Sequence, residues 1–248
     1  MAPRFVSTAA PAKSPCWYCH NRSSCLDLGL RRLCSSARVA EWETDPVTGS
    51  DSRWNLNIHY HSVFHSVTPS SARTALDVGC GDGLLSFEMA DRGLEVVGID
   101  PHRESIDRAR ADPRASRQTE FVCGDFFAHS FGPALFDLVA TSAMLHHVDA
   151  RSGLRRMKEL VRPGGVVAVV GFAQPSTVED RVLMLAGAAV KTVHRFRRSY
   201  WEHNAPVCWP PPLTTGQMRA IANDEIPGAT FRPLMSNRFS LIWKAPTP

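Results

Sequence analysis

Residues Leu76 to Gly83 read L-D-V-G-C-G-D-G, and the following run V-V-G-I-D ends on an acid at Asp100. This pair of segments constrains the chain more than any other feature. Ala75 to Val78 is a short apolar run suited to a buried parallel strand. Leu84 to Arg92 then continues at helical spacing through Leu84, Leu85, Glu88 and Met89, until Gly93 can close it as a left-handed cap. Gly79, Gly81 and Gly83 therefore fall on a strand-to-helix turn. Lacking side chains, they let the backbone bend tightly and let a ligand reach peptide N–H groups at the helix start. The next strand is expected over Leu94 to Ile99 and delivers Asp100. An acid there can accept both hydroxyls of a ribose, as a carboxylate about 20 residues beyond the glycines does in dinucleotide folds.

The glycine spacing separates two cofactor classes. A dinucleotide fingerprint wants glycine at the first, third and sixth positions, the last so that the helix packs close to the strand. Here the sixth position is Leu84, and glycine takes the first, third and fifth, with Asp77 just before them. This D-x-G-x-G-x-G pattern resembles the cofactor motif of the class I S-adenosylmethionine (SAM)-dependent methyltransferases. Alone, it also suits any tight strand-to-helix turn.

Further landmarks follow in order. Phe121 to Gly124 can form a third strand ending at Asp125, and Leu135 to Thr141 a fourth, followed by S-A-M-L-H-H-V from Ser142 to Val148. Leu154, Met157, Leu160 and Val161 give a helical apolar face, and R-P-G-G at Arg162 to Gly165 turns the chain into a strand over Val166 to Val170. The resemblance spans roughly residues 54 to 244 and is strong from Leu76 to Val170. It implies a Rossmann-like α/β fold: a seven-stranded, mostly parallel sheet with an antiparallel last strand and helices on both faces. It also implies SAM as cofactor, a small-molecule acceptor, and a cofactor site drawn from Asp77, Gly79, Cys80, Gly81, Gly83, Asp100, Pro101 and Thr141. Asp125 resembles the acid that meets the adenine amino group, with Phe126 beside the ring, and Ser142 to Val148 resembles the segment crossing the methyl-transfer site.

At 248 residues the chain can bury one full α/β core, and strands alternating with helices imply a parallel sheet covered on both faces. The expected division is a basic extension over residues 1–38 and one catalytic domain over 39–248. Within the domain, residues 54–170 form the cofactor half, 171–228 the substrate-side elements and 229–245 a C-terminal hairpin. No apolar run approaches the ~20 residues of a membrane span, and the first residues lack the apolar core of a secretory signal. A cytoplasmic protein without stable membrane insertion is the expectation. Residues 1–38 hold six Lys/Arg against the single acid Asp27, leaving 22 basic and 23 acidic residues in the remainder. Bulk charge therefore gives the domain no grip on nucleic acid.

Within the extension, Cys16, Cys19, Cys25, Cys34 and His20 include one C-x-x-C but neither a second such pair nor an H-x-x-x-H. Zinc binding, a basic presequence and an unstructured extension remain open there, and no metal site is assigned. Cys80, Cys123 and Cys208 sit in or near core elements and read as buried thiols.

Outside the motif region, Arg53 to His65 (R-W-N-L-N-I-H-Y-H-S-V-F-H) places Trp54, Ile58, His61 and His65 near one helical face. In the resembled family the helix before the first strand often covers the cofactor, which makes Trp54, Tyr60 and His61 candidate cover residues; surface packing is the other reading. No carboxylate joins these histidines at local ligand spacing. Val182 to Phe196 is an apolar helix candidate ending among Lys191, His194, Arg195, Arg197 and Arg198. It reads either as a cover whose cations attract an anionic substrate or acidic membrane surface, or as core with cations favoured at a helix C-terminus. Tyr200, Trp201, His203, Trp209 and Pro210 to Pro212 could wall a lipophilic substrate or strap the fold. Thr214 with Gln217 resembles a capping box, and Thr230 to Met235 with Phe239 to Trp243 reads as a hairpin.

His146 and His147, directly after the fourth strand, are the candidate catalytic bases, with one expected to face the pocket and the other to pack. The family's nucleic-acid amino-methylating members carry Asn/Asp-Pro-Pro-aromatic where Thr141 to Met144 stand here, and its magnesium-dependent members carry carboxylates where Ala140 to Val148 have none. The acceptor class left is a small molecule methylated on O, N or C. The alternatives are a nicotinamide-dependent oxidoreductase, against which Leu84 and the lack of a Tyr-x-x-x-Lys pair argue, and a non-catalytic SAM-binding scaffold. Oligomeric state is not legible.

Overall fold

The computed structural model describes residues 54–131, 136–197 and 208–247. The Cys-bearing extension, Tyr200, Trp201 and His203 lie outside them. The elements run α1 (Leu56–His59), α2 (His61–Val67), β1 (Thr74–Val78), α3 (Leu84–Ala90), β2 (Glu95–Asp100), α4 (Arg103–Ala111), β3 (Thr119–Cys123) and β4 (Phe136–Ser142). A 3-10 turn (Leu145–His147) leads to α5 (Ala150–Leu160), β5 (Val161–Phe172), α6 (Val178–Arg197), α7 (Thr215–Glu225), β6 (Thr230–Leu234) and β7 (Arg238–Lys244).

The seven strands form one sheet in the order β3-β2-β1-β4-β5-β7-β6. β1 pairs in parallel with both β2 and β4, β4 pairs in parallel with β5, and β7 runs antiparallel to β5 and β6. The expected mostly parallel sheet with an antiparallel last strand is therefore present. Period-two alternation sends Ala75, Val96, Leu138 and Val166 to one face, against Phe64 of α2 and Leu85 and Met89 of α3. Leu76, Val139, Val167 and Leu241 point to the other, against Leu154 and Met157 of α5 and Met218 and Ala222 of α7. β1 feeds β2 on one side while β4 lies on its other side, so the carboxyl ends of β1 and β4 flank the topological switch point, where α/β sheets open a crevice.

Several local expectations change. The single helix read over Arg53 to His65 is two short helices that meet at Tyr60, the Asn55 side chain capping the first by accepting from the N–H groups of Asn57 and Ile58. R-P-G-G does not precede β5 but lies within it: Val161 pairs with Phe136 and Val166 with Leu138, the register shifting between them. The capping box is as read, since Thr214 Oγ1 accepts from Gln217 N while Gln217 Oε1 accepts from Thr214 N, and α7 starts there. The hairpin also forms, its turn at Ser236 and Asn237 with φ of 58° at both.

Candidate active site

The cleft at the switch point is built first by the glycine turn. Gly79, Gly81 and Gly83 all take positive φ, at 73°, 53° and 79°. At Gly79 a Cβ would sit 2.5 Å from the Met144 side chain, so the turn can close against the segment after β4 only with glycine there. At Gly81 a Cβ would meet nothing within 4 Å, because that face is open cleft. Gly81 N donates to Asp100 Oδ2 at 3.0 Å, and His102 N donates to Asp100 Oδ1 at 2.8 Å. Burial raises the Asp100 carboxyl above its ordinary value against those two bonds, leaving a half-buried acid on the cleft wall. Arg108 of α4 donates to Asp82 at 2.8 Å and to Ser105 at 2.9 Å, bracing the far side of the turn.

The floor is Asp77, 1% exposed at the end of β1, which accepts a hydrogen bond from Ser86 Oγ of α3 at 2.7 Å. Burial pushes its carboxyl up to about 6, opposed by the Ser86 hydroxyl and the nearby His61. Burial likewise pushes the Cys80 thiol up, which keeps it protonated.

Across the cleft, Ser142, Ala143, Met144 and His147 form the wall after β4, with Ala143 in the left-handed region at φ 58°. A non-glycine residue held there is uncommon and concentrates at ligand-handling segments. The two adjacent histidines line different hollows, although their rings pack together with centroids 4.1 Å apart. His147 lines the cleft, and burial lowers its pKa. His146 lines a small hollow behind it with Phe172, Pro212, Met218 and Phe239, its ring 4.9 Å from that of Phe172. There burial, then His147 and Arg238, hold it down at about 3.

The α1–α2 segment closes the open side with Asn55, Asn57, Ile58 and His61. His61 Nδ1 and His65 Nε2 both meet Glu88 Oε2 of α3, at 3.0 and 2.9 Å. Burial alone would raise the Glu88 carboxyl, but the two imidazoles outweigh it and hold it at about 2. The carboxylate absent from local spacing thus arrives from another helix. Arg238 of β7 donates to Asn57 Oδ1 at 2.8 Å and lies over the Phe172 ring at 4.3 Å, fixing Asn57 at the rim.

Of the residues singled out from sequence, Asp77, Gly79, Cys80, Gly81, Asp100, Pro101, Phe126, His61 and His147 meet around one cleft. Gly83 sits one step behind it as N-cap of α3, against Phe121. Tyr60, Thr141 and Asp125 are not on the cleft wall, each for a specific reason. The Tyr60 hydroxyl accepts from Met235 N under the hairpin, and the Thr141 hydroxyl donates to Val78 O inside the sheet at 2.7 Å. Asp125 Oδ1 accepts from the N–H groups of Phe127 and Ala128, closing its own turn. The cleft also draws on Ser142 and Met144, from the segment expected to cross the methyl-transfer site, and on Asn55, Asn57 and Arg108, which sequence patterns did not single out. Among the described residues no His/Cys/Asp/Glu cluster could hold a metal ion.

This arrangement fits SAM. The open face at Gly81 admits a ligand to the main chain, Asp100 offers carboxylate oxygens beside it, and Asp77 and Asp100 suit a cationic ligand better than a pyrophosphate.

A family model described as a methyltransferase domain matches residues 76–169. An uncharacterized methyltransferase of Mycobacterium tuberculosis (strain H37Rv) is 36% identical over 197 residues, covering 79% of this chain and 99% of that protein. The ubiquinone biosynthesis O-methyltransferase of Aeromonas salmonicida is 31% identical over 172 residues, 67% of this chain and 69% of that one. The N-methyltransferase NodS of Bradyrhizobium japonicum, in complex with S-adenosyl-L-homocysteine (SAH), shares the fold with a TM-score of 0.51 at 16% identity, over 77% of this chain and 89% of that chain. Sequence kinship, sheet order and the glycine cleft agree, and the chain belongs to the class I SAM-dependent methyltransferases.

Proposed function

We propose that this methyltransferase moves the methyl group of SAM to an oxygen atom of a small organic acceptor, and that the cleft described above is where it does so. The observation that carries this reading is His147. It stands on the cleft wall with Ser142 and Met144, and burial keeps its imidazole unprotonated at neutral pH, ready to take a proton from a hydroxyl. The likeness to O-methyltransferases supports an oxygen acceptor.

SAM supplies a methyl group already activated by a positive sulfur. The chain's task is then to hold and align. Asp100 would take the ribose hydroxyls, Gly79 to Gly81 would leave room for the nucleoside at the turn, and Phe126 would face the base. Asp77, ionised, would balance the ligand's positive charge from the floor. Asn57 and His61 would cover the cofactor, fixed by Arg238 and Glu88. Aligned contact at ~3 to 3.5 Å can supply ~7 to 11 kcal/mol, so no covalent enzyme intermediate is required. A base adds ~10² to 10⁴-fold for a hydroxyl acceptor and little for an acceptor that carries no proton. Tyr60 and Thr141 would serve as supports, one under the hairpin and one between β1 and β4. Residues 39–248 would form one catalytic domain.

A panel of phenols, aliphatic alcohols, carboxylates and amines, followed by SAH release, tests the reading. Turnover with oxygen acceptors that falls on His147→Ala supports it, and turnover confined to amines sinks it.

A further inference from the structure

α6 is a 20-residue helix whose two faces meet different surroundings. Its inner row is anchored. Asp180 accepts from the N–H groups of Ser176 and Thr177 and from the Thr215 hydroxyl at the start of α7. Ser236 N at the hairpin tip donates to Leu183 O, and Gly187 is buried directly on Ser236, where a Cβ would overlap the serine side chain. The outer row is apolar and bare. Val178, Val182 and Leu185 are 76%, 41% and 64% exposed, and Ala189 follows on the same stripe. The spacing i, i+4, i+7, i+11 is one continuous helix face. The expectation that this face is core therefore fails for these residues, and none of them lines the cleft.

Charge is distributed to match. Acids occur only in the first turn, at Glu179 and Asp180. From Arg181 to Trp201 the sequence has no Asp or Glu, but carries Lys191, Arg195, Arg197 and Arg198 beside His194. An apolar stripe followed by acid-free cationic sequence has the chemistry of a helix that lies in the plane of an anionic lipid surface. No helix among the described residues is long and apolar enough to cross a membrane.

We propose that α6 docks this enzyme reversibly on an anionic bilayer surface, Val178, Val182, Leu185 and Ala189 entering the headgroup boundary and the cation-rich sequence that follows them supplying the attraction to lipid phosphates. This reading stands apart from the acceptor assignment and does not depend on it. Anchoring through the hairpin tip would keep the cleft oriented relative to the lipid, since the same hairpin holds Asn57 through Arg238.

The test is sedimentation of the full chain with vesicles of equimolar phosphatidylcholine and phosphatidylglycerol, and with phosphatidylcholine alone. Partition onto the anionic vesicles that weakens as salt rises is expected, with much weaker partition onto phosphatidylcholine. Val182→Glu with Leu185→Glu should reduce partition by on the order of 10²-fold or more while leaving the melting temperature and SAH affinity near wild type, because both side chains are already exposed. Leu185→Ser serves as the milder control, with an intermediate loss. Three results would overturn the proposal: no partition of the wild type, partition that the double variant retains in full, or a dimer in light scattering that Leu185→Glu dissolves, which would give the stripe to a second copy of the chain.

Discussion

Gly81 N donates to the Asp100 carboxylate at 3.0 Å, tying the end of β2 to the middle of the glycine turn. The bond joins the two motifs that made this chain legible, and it leaves the Gly81 face open toward the cleft. Substitutions at neighbouring glycines should therefore fail differently. Gly79→Ala drives a methyl into Met144 at a left-handed backbone position and should lower stability by about 3 kcal/mol. Gly81→Ala meets no protein atom, so its stability loss should stay near the ~1–2 kcal/mol of the backbone penalty while SAH affinity falls further than stability does. Chemical denaturation read beside SAH titration separates the two.

The floor carboxylate gives cofactor binding a pH dependence. Burial raises Asp77 from its ordinary 3.8 to about 6, so its ionisation costs the empty fold stability as pH rises across that window. A cationic ligand favours the ionised form. The affinity for SAM should accordingly rise as pH passes upward through about 6, Asp77→Asn should flatten that rise, and SAH, which lacks the sulfonium charge, should show less of it. Ser86→Ala removes the bond that lowers the Asp77 pKa and should move the inflection to higher pH. Binding measured between about pH 5 and about pH 8 checks each point.

His147 and His146 are neighbours in sequence with different surroundings. His147→Ala should reduce kcat for a hydroxyl acceptor by roughly 10² to 10⁴-fold with little change in SAH affinity. His146→Phe should leave kcat within a few-fold, because that ring lies in the hollow with Phe172 and Phe239 and off the cleft. Steady-state kinetics with one oxygen acceptor distinguish them, and an equal loss in both would contradict the assignment.

Glu88 holds two histidines at once. Its pKa is depressed from 4.5 to about 2, so its stabilising contribution is full above 4.5 and is lost as pH falls toward 2. Glu88→Ala should lower the melting temperature at neutral pH and weaken SAH binding through a loosened His61. Wild type and variant should converge in stability as the pH drops below 4.5.

Much of this site was legible because it is local. The glycine turn, Asp100, the capping box at Thr214 and the hairpin at Ser236 each rest on a few consecutive residues whose backbone needs are visible in their side chains. What escaped is set by contacts between distant segments. Asn57 reaches the cleft rim because Arg238 holds it from β7, and Glu88 joins His61 and His65 from a different helix. No periodicity encodes such meetings. Position in a motif also did not fix orientation: Thr141 ends the expected strand, yet its hydroxyl is taken by Val78 O, and Asp125 turns one carboxylate oxygen into its own loop. The two-helix break at Tyr60 escaped as well, at a residue whose hydroxyl is held by Met235 N, far along the chain.

The central claim is that the cleft between β1 and β4 holds SAM, with Asp100 on its ribose. Calorimetric titration of SAH into the wild type and into Asp100→Ala tests it most directly, with the variant's melting temperature recorded to show that it is folded. The account predicts saturable binding by the wild type and at least ~10-fold weaker binding by the variant, the loss of one charge-assisted hydrogen-bond set. Equal affinity in a folded variant would contradict it.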